Sequence, residues 1–419
     1  MKPPLRTTDE ANREAVERIA SARPVLIDLR QAGDVLPGLD RTTILHAGPP
    51  LGDVRHVIDV LRGAITGTLV SHGRAGTEAA AWELVSSGEM QLAPANDYGA
   101  CATFAAVITA DTPVFVVEEP ELGLRAVAAI NEGRGRALRY GSTDSATLDR
   151  LGWLEGEFAD TLAVAIRRLD GLDVFAIMAQ ALHMGDECHS RQKAASSLFL
   201  TAILPALLES GAAAGKVGRV VDFLAANDFF FLPLAMAGAK VAMGAADGVP
   251  QASIVTCMCA NGAEFGIKVA GLPGTWFTAP VPDIHGKYFE GFDAADAGPV
   301  IGDSEIVETL GLGALAMAAA PSFAPFAGRT VREVIEAASA FYAIACTEHE
   351  KFTIPSLEFR GAPLGIDCRL VAELGTGPIF STGIAHRECG MGQIGAGVGT
   401  APVACFAAAA EALSGAGSG

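Results

Sequence analysis

Short β-rich segments towards both ends of the chain enclose a long helical stretch, and this order limits the folds that the sequence can adopt. From about residue 158 to 245, apolar residues recur three and four positions apart, which is the spacing of amphipathic helices. Before this stretch, short β-rich runs alternate with turns or helical segments at 25–29, 42–45 and 64–70. After it, strand-like runs alternate with Gly and Pro turns. The pattern predicts a multi-domain α/β and α+β protein with a Rossmann-like N-terminal parallel sheet, a helical middle region and an α+β C-terminal part.

The length of the chain predicts more than one domain. A single hydrophobic core stops growing at about 250 to 300 residues, whereas this chain has 419. We expect a Rossmann-like α/β domain at 1–125, a mixed and then mostly helical region at 126–250, an α+β domain with a Gly-rich loop at 251–412, and a flexible tail at 413–419. Within the third unit, 330–350 is predicted as one helix, capped by Thr330 with Glu333 three residues later.

The chain is strongly acidic, with a formal net charge of −18. Such a charge repels nucleic-acid backbones and anionic lipid headgroups, so neither nucleic acid nor a membrane is an expected partner. Small anionic substrates are not excluded, because one pocket can be locally positive. Homo-oligomerisation is not excluded either. A signal sequence and an uninterrupted apolar run of about 18 residues are both missing, which predicts a cytoplasmic protein.

The first candidate segment for ligand binding is Leu45-His46-Ala47-Gly48-Pro49-Pro50, a small-residue loop at the predicted end of a strand. Backbone N–H groups in such a loop can hold an anion, and on this basis we assign His46 to substrate binding. The loop lacks the G-x-G-x-x-G pattern, so it supports a nicotinamide cofactor only weakly. A tight turn with a surface histidine is the alternative interpretation.

The second segment places three arginines within six residues of an otherwise acidic chain. It reads Asn131-Glu132-Gly133-Arg134-Gly135-Arg136, followed by Arg139-Tyr140-Gly141. Arginine offers a planar, two-pronged donor to carboxylate and phosphate groups. We therefore assign Asn131, Arg136 and Arg139 to substrate binding, with a solvated turn as the alternative.

The third segment is Met184-Gly185-Asp186-Glu187-Cys188-His189-Ser190-Arg191. Asp186 is predicted to cap a helix that starts at Glu187, which would place His189 and Arg191 around its first turn. Because histidine titrates near neutral pH, we assign His189 and Asp186 to catalysis and Arg191 to substrate binding. A charged, capped helix start is the alternative, and the H-E-x-x-H spacing of zinc sites is absent.

The fourth segment runs from Thr382 through His386 into a glycine-rich stretch at 390–399. So many glycines are unfavourable inside a helix, so this stretch is expected to wrap a ligand or another part of the backbone. We assign His386 to catalysis and Gln393 to substrate binding. Cys389 is a weak candidate for a nucleophile because nothing in the sequence indicates activation. A lesser segment, Gly302-Asp303-Ser304 with Glu305, is read as a helix cap.

Together with other motifs in the same order and spacing, these segments resemble the YlbE-like family, whose best understood members are the AllG subunits of oxamate carbamoyltransferase. The likeness extends over about residues 10 to 412, and its specificity comes from the number of separate matches. The matching motifs are His46-Ala47-Gly48-Pro49-Pro50, Asn131-Glu132-Gly133, Met178-Ala179-Gln180, Met184-Gly185-Asp186-Glu187, Ser253-Ile254-Val255-Thr256, Trp276-Phe277-Thr278-Ala279-Pro280-Val281, Gly302-Asp303-Ser304, Ile354-Pro355-Ser356, Thr382-Gly383-Ile384-Ala385-His386 and Gly392-Gln393-Ile394-Gly395-Ala396-Gly397.

The resemblance implies a subunit of a carbamoyltransferase complex. In the allantoin pathway the family member acts with an FdrA-type subunit, which resembles acyl-CoA ligases, and with a third subunit. That complex interconverts oxalurate plus phosphate with oxamate plus carbamoyl phosphate. A different carbamoyl acceptor stays open for this chain, and the resemblance supplies no catalytic residues.

The implied reaction needs donors for a carboxylate and for phosphate, a group that polarises the carbamoyl oxygen, and a group that moves a proton. Local chemistry assigns anion binding to Arg136 or Arg139, and the carbamoyl site to His386 with Gln393. The Asp186 segment would bind or protonate the substrate. No cofactor, metal or covalent nucleophile is required. Two other functions stay open, a non-catalytic structural or channelling subunit of an FdrA-type complex and a nicotinamide-dependent oxidoreductase.

Overall fold

The first helix and the first two strands lie where the sequence predicts them. The computed structural model describes residues 7–325 and 327–416. Its first helix, α1 (Thr8–Ser21), begins at a capping box in which Thr7 and Glu10 satisfy each other's backbone N–H groups. It is followed by β1 (Val25–Gln31), a short α2 (Ala32–Val35) and β2 (Thr43–His46).

The segment at 64–70, predicted as a strand, is helical. Its β-branched residues favour strands, but the hydroxyl of Thr66 donates to the carbonyl oxygen of Gly63, and that of Thr68 to the carbonyl oxygen of Ala64, as in a helix. Packing of the buried face of this helix outweighs the preference of its β-branched residues for a strand. The segment belongs to α3 (Asp59–Ser71), which packs against α4 (Glu78–Ser86).

The N-terminal sheet is mixed. The remaining strands of this half are β3 (Gln91–Pro94), β4 (Ala100–Cys101), β5 (Pro113–Glu119), β6 (Leu124–Ala129) and β7 (Leu172–Asp173). Five of the strands form one sheet in the order β4-β6-β5-β1-β7, in which only β4 and β6 run parallel. A separate parallel pair joins β2 to β3. The α/β and α+β class is confirmed. The predicted Rossmann-like parallel arrangement of this sheet is wrong, because β1 pairs antiparallel with β5, and β5 and β6 form an antiparallel hairpin.

A run of helices follows, as the apolar spacing predicts. It comprises α5 (Ser145–Trp153), α6 (Ala159–Arg168), α7 (Val174–His183), α8 (Lys193–Leu208), α9 (Ala214–Ala226) and α10 (Leu232–Gly244). Helix α10 is buried along almost its whole length because it lies against β4, β5, β6 and α7. Within the described residues 7–325 and 327–416, none of the helices has the length and apolar character needed to cross a membrane.

Small antiparallel sheets make up much of the C-terminal part. Its strands are β8 (Val255–Asn261), β9 (Glu264–Val269), β10 (Phe277–Pro280), β11 (His285–Tyr288), β12 (Ile301–Gly302), β13 (Ala345–Ile354), β14 (Arg360–Ile366), β15 (Ile379–Ala385) and β16 (Gln393–Thr400). They pair in the orders β10-β9-β8-β12, β11-β16-β15 and β13-β14. The helices of this part are α11 (Ile306–Thr309), α12 (Val331–Ala340), α13 (Cys368–Leu374) and α14 (Val403–Ala416).

Two C-terminal predictions need correction. Thr330 and Glu333 form the predicted capping box of α12, but the helix ends at Ala340. A short 3-10 turn follows at Phe341–Ala343, and the chain then enters β13, which hydrogen-bonds to β14. The predicted flexible tail at 413–419 is helical as far as Ala416 in α14, and 417–419 lie outside the described residues.

The glycine-rich stretch, predicted as a loop, is mostly a strand, although it makes the predicted close approach to another part of the backbone. It forms much of β16, which pairs with both β15 and β11. A Cβ atom at Gly397 would lie 2.5 Å from the carbonyl oxygen of His285, and one at Gly395 would lie 2.6 Å from that of Lys287. Glycine is therefore required here for strand packing.

The largest hydrophobic core draws on residues from Ala11 to Leu364, so it contains side chains from the N-terminal, middle and C-terminal parts. The domain boundaries near residues 125, 250 and 412 stay predictions.

A buried polar network connects α1 to the C-terminal part. The Asn12 Nδ2 donates to Ser253 Oγ at 2.8 Å and to Asp367 Oδ2 at 2.9 Å, and the Asn12 Oδ1 accepts from the backbone N–H of Ser253 at 2.8 Å. Arg369 Nη2 also donates to Asp367 Oδ2, at 2.7 Å. The contacts of Asn12 join residues that are more than 200 positions apart in the sequence.

We expect Asn12→Ala to lower the free energy of unfolding by about 3 kcal/mol, because it leaves the buried N–H of Ser253 without its acceptor and removes the hydrogen bonds of Asn12 to Ser253 Oγ and Asp367. Urea unfolding followed by circular dichroism measures the change. Glu17→Ala, at an exposed position of the same helix, is the control and is expected to change stability by less than about 0.5 kcal/mol. Equal losses in both variants would contradict the role of the network.

Candidate functional site

Three segments that are distant in sequence supply most of the lining of a cavity of about 620 Å³. They are the loop after β6, the loop before α8 and the turn between β15 and β16. A smaller pocket of about 60 Å³ adjoins it on the buried side. We call the two the outer cavity and the inner pocket, and both are walled by Arg139, Tyr140, Ser190, Phe229, Gln393 and Ala396.

The outer cavity is locally positive although the chain is acidic. Among the described residues that line it, one is a carboxylate, Asp228, and five are cationic: Arg134, Arg136, Arg139, Arg191 and Lys193. Asp228 pairs with Arg134 and lies 3.9 Å from Lys193 Nζ. The remaining arginines each lie within 4 Å of a carboxylate behind the wall, but cations predominate on the surface that faces the cavity, which suits an anionic ligand.

Arg139 is the buried cation of the site, with only 6% of its surface exposed. Its Nη2 donates to the carbonyl oxygen of Gly133 at 2.6 Å, and its guanidinium lies 4.7 Å from the centre of the Tyr140 ring. Its Nη1 lies 3.8 Å from Glu132 Oε1. Neither Nε nor Nη1 has a hydrogen-bond partner within the described residues. Buried donors without partners are costly, so Arg139 is suited to receive an anion from the cavity.

The turn that holds Arg139 is built by its own polar residues. The Asn131 Oδ1 accepts from Gly133 N at 2.9 Å, and the Glu132 carboxylate accepts from the backbone N–H groups of Leu138 at 2.7 Å and Arg139 at 2.9 Å. Asn131 lines the inner pocket and is 4% exposed. The segment predicted from its arginines is therefore an ordered turn beside the cavity.

His189 lines the inner pocket and is paired with a buried carboxylate. Its Nδ1 lies 2.9 Å from both carboxylate oxygens of Glu308, and His189 itself is 3% exposed. Burial alone would lower the pKa of His189, but the charge and hydrogen bond of Glu308, with the charges of Glu305 and Glu187, raise this pKa to about 9. His189 is thus protonated at neutral pH, with Nδ1 committed to Glu308.

The loop before α8 differs from the helix start that the sequence predicts at Glu187. The Glu187 carboxylate accepts from the backbone N–H groups of His189, Ser190 and Arg191 at 2.6, 2.6 and 2.8 Å, which folds 187–191 into a tight turn. Helix α8 begins later, at Lys193. Cys188 has a φ of 65°, in the left-handed region, and this conformation interrupts a right-handed helix at 187–191.

Asp186 caps the helix that does form. Its Oδ2 accepts from the backbone N–H groups of Ala194 and Ala195. The Asp186 side chain is 0% exposed and lines neither the outer cavity nor the inner pocket. Arg191 lines the outer cavity, with its Nε 3.2 Å from Asp186 Oδ1.

Arg136 and Gln393 also reach the cavity. The Arg136 guanidinium is largely exposed and lies 3.6 Å from Asp144 Oδ2. Gln393 lines both spaces, and its amide is oriented by donation to the carbonyl oxygen of Gly395 at 2.8 Å. Six predicted residues are therefore brought together, namely Asn131, Arg136, Arg139, His189, Arg191 and Gln393.

His46 lies apart from this site. It is completely buried, and desolvation lowers its pKa to about 4. The backbone N–H of Gly48, predicted to hold an anion, donates instead to Asp303 Oδ1 at 2.8 Å. A Cβ at Gly48 would lie 2.4 Å from Asn261 N, so the loop packs directly on β8. The loop lines neither the outer cavity nor the inner pocket, because it packs on β8 and bonds to Asp303 instead.

His386 also lines neither space. Its Nδ1 accepts from the backbone N–H of Glu388 at 2.9 Å, and its Nε2 lies 3.9 Å from Asp296 Oδ1. Cys389 donates to the carbonyl oxygen of Gly141 at 3.0 Å, and burial raises the pKa of its thiol. His386 and Cys389 organise the turn between β15 and β16.

Glu308 and Glu305 are the residues near the site that sequence reasoning missed as functional candidates. Glu308 is fully buried and accepts from the backbone N–H groups of Ala314 and Ser381, both at 3.0 Å, in addition to His189. The sequence did contain a signal for these residues. Carboxylates within the mostly apolar run 298–320 are expected to be buried, and a buried carboxylate needs a partner.

Glu305 is a buried carboxyl whose two oxygens have no hydrogen-bond partner within the described residues. Burial raises its pKa to about 8, against 4.5 for the free group, and the charge of His189 opposes this shift. Folding therefore binds a proton at Glu305 between these two pH values. The contribution of Glu305 to stability decreases as the pH rises from about 4.5 to 8, because the unfolded chain loses that proton first.

We expect Glu305→Gln to raise the melting temperature relative to the parent, and to raise it more at pH 8 than at pH 5, because glutamine needs no proton to be neutral. Thermal unfolding at pH 5, 6.5 and 8 measures the difference. Glu336→Gln, at an exposed position of α12, is expected to show no such trend. A gain that shrinks as the pH rises would contradict the protonated state of Glu305.

A second open groove, of about 830 Å³, lies between α1 and β13. Its carboxylates outnumber its cations, and Arg369 within it already donates to Asp367 and Asp9. The excess of carboxylates in this groove repels anions, so the outer cavity with its inner pocket is the better candidate for a site that binds small anions.

Known proteins resemble this chain over nearly its whole length. Subunit AllG of oxamate carbamoyltransferase from Escherichia coli (strain K12) is 40% identical over 407 residues, which cover 96% of this chain and 97% of that protein. The uncharacterized protein YahG of the same strain is 39% identical over 396 residues, covering 94% of this chain and 84% of YahG. A crystal structure of a conserved protein of unknown function from Enterococcus faecalis V583 superimposes with a TM-score of 0.95 and 38% identity, covering 97% of this chain and 98% of that one.

The family model for oxamate carbamoyltransferase subunit AllG matches residues 90–304. The matched segment includes the Arg139 turn and the His189 loop, whereas Glu308 and Gln393 lie beyond it. With this match and relatives of about 40% identity, the chain belongs to the family of oxamate carbamoyltransferase subunit AllG.

Proposed function

We propose that this chain is the subunit of a carbamoyltransferase complex in which the carbamoyl group is transferred. The reaction interconverts oxalurate, or a related N-carbamoyl compound, plus phosphate with oxamate plus carbamoyl phosphate. One observation carries the proposal: the buried Arg139, with two donors that have no partner in the described part of the chain, lines both spaces, and His189, paired with Glu308, lines the inner pocket beside it.

The anionic groups would be held by the arginines. Both substrates in the direction of oxalurate cleavage are anions, and Arg139 can offer its Nε and Nη1 to a carboxylate or phosphate at the junction of the two spaces. Arg136 and Arg191 supply further positive charge in the outer cavity. Bringing two anions together costs electrostatic energy, which this local excess of cations offsets.

The proton would be carried by His189. In oxalurate cleavage, a phosphate oxygen attacks the carbamoyl carbon, a C–O bond forms, and the C–N bond breaks with its electron pair going to nitrogen. Protonated His189 donates its Nε2 proton to that nitrogen, which yields oxamate, and it recovers a proton from the attacking phosphate. Glu308 holds Nδ1 and keeps the ring oriented, so that Nε2 is the nitrogen that exchanges the proton.

The proposal is tested by measuring carbamoyl phosphate formation from oxalurate and phosphate. The chain is co-expressed with an FdrA-type subunit and a third subunit, and each is omitted in turn. Activity that requires this chain and is lost on replacing His189 in the intact complex supports the proposal. Full activity without this chain would overturn it. A complex that needs the chain but tolerates every substitution in the cavity would instead indicate the structural or channelling role.

A further inference from the structure

The inner pocket contains polar groups that the fold leaves without partners. The Asn131 Oδ1 accepts from Gly133 N at 2.9 Å and from Asn227 Nδ2 at 3.1 Å. Because a backbone N–H only donates, this contact identifies the oxygen of the Asn131 amide, and Nδ2 is left as a donor. No hydrogen bond from that Nδ2 occurs within the described residues, although Asn131 is 96% buried, being 4% exposed.

Ser190 adds a second free donor on the wall shared by the two spaces. Its Oγ is buried and has no partner within the described part of the chain. Its backbone is held by donation from Ser190 N to Glu187 Oε1 at 2.6 Å. The hydroxyl is therefore positioned by the turn but is not used by it.

The inner pocket is also small and lined mainly by neutral groups. Its volume of about 60 Å³ admits a group of a few heavy atoms and not a whole substrate. Phe104 narrows it, and a Cβ at the neighbouring Gly383 would lie 2.6 Å from the Phe104 ring. Neutral donors suit a carbonyl oxygen, whereas the arginines of the outer cavity suit anions.

We propose that the inner pocket is the subsite for an unsubstituted carbamoyl group, whose oxygen accepts hydrogen bonds from Asn131 Nδ2 and Ser190 Oγ. This inference rests on the proposed function and specifies which part of the substrate enters which space. The same donors would stabilise the negative charge that develops on the carbamoyl oxygen during attack by phosphate. Carbamoyl groups that are alkylated on the terminal nitrogen would be too large for the pocket.

Binding to the full chain tests the inference separately from catalysis. The probes are methylphosphonate, which has no amide, phosphonoacetamide, which joins a phosphonate to an unsubstituted carboxamide, and the N,N-dimethyl derivative of phosphonoacetamide. We expect phosphonoacetamide to bind about tenfold more tightly than methylphosphonate by calorimetry. The dimethyl derivative is expected to bind no more tightly than methylphosphonate.

Ser190→Ala is expected to remove this preference while leaving methylphosphonate affinity within about twofold of the parent. Because Ser190 Oγ has no partner in the described chain, its loss is not expected to lower the melting temperature. Ser197→Ala, at an exposed position of α8, is the matched control and keeps the preference.

Two results would overturn the inference while leaving the proposed function intact. They are tight binding of the dimethyl derivative, or an unchanged preference in Ser190→Ala, in a chain that still binds methylphosphonate. A chain that binds none of the phosphonates would overturn both the proposed function and the inference. Binding of methylphosphonate by the unmodified chain therefore shows whether only the inference fails or the proposed function fails as well.

Discussion

Replacing His189 with glutamine is expected to reduce carbamoyl transfer about a thousandfold, because glutamine keeps a hydrogen bond to Glu308 but cannot move a proton. The loss should appear in kcat, with KM changed by less than about threefold, since the role proposed for His189 is in the chemical step. The measurement is steady-state formation of carbamoyl phosphate by the assembled complex. Undiminished turnover would remove His189 from the mechanism.

Two further variants serve as a control and as a test of the protonation state of His189. His183→Gln replaces an exposed histidine of α7 that contacts Thr353 at 2.8 Å, and it is expected to retain activity. Glu308→Gln removes the charge that raises the pKa of His189. If protonated His189 is the active form, the alkaline decline of activity in Glu308→Gln should move to lower pH. A purely structural role for Glu308 would lower activity equally at every pH.

Arg139→Met is expected to raise the KM for the anionic substrate about a hundredfold, because it removes two charge-assisted hydrogen bonds to the ligand. Lysine at this position should recover only part of the affinity, since it keeps the charge but not the planar, two-pronged donor. Initial rates measured over a range of substrate concentrations separate KM from kcat.

The control for Arg139 is Arg125→Met, which removes an exposed arginine that pairs with Glu118 at 2.8 Å. Its KM is expected to equal that of the parent. Because Arg139 Nη2 also donates to the carbonyl oxygen of Gly133, the melting temperature of each variant must be measured. An unchanged KM in a folded Arg139→Met protein would contradict anion binding at this position.

The sequence alone pointed to the two segments that hold most of the candidate site. The turns at 131–139 and 187–191 are formed by short-range contacts, in which Glu132 and Glu187 accept hydrogen bonds from backbone N–H groups a few residues away. Arginines clustered in an acidic chain and a histidine beside carboxylates are local signals of this kind. The helices of the middle region also followed from apolar spacing, which is a local property.

Two segments with weak local preferences were assigned the wrong secondary structure. The β-branched residues at 64–70 indicated a strand, but burial on the helical repeat placed them in α3. The second half of 330–350 could have continued a helix, but hydrogen bonds with β14 made it a strand. In both cases, contacts with distant residues prevailed over a weak local preference.

Only the tertiary structure decided which candidates share a cavity. The partner of His189 is Glu308, 119 residues further along the chain, and no spacing rule connects the two. His46 and His386 had local features similar to those of His189, yet packing against β8 and a turn interaction with Glu388 keep them away from the site. A sequence determines which donors and acceptors exist and how they bond locally. Which of them stay unpaired beside a cavity depends on how distant segments pack, because burial and hydrogen bonding are properties of the assembled core.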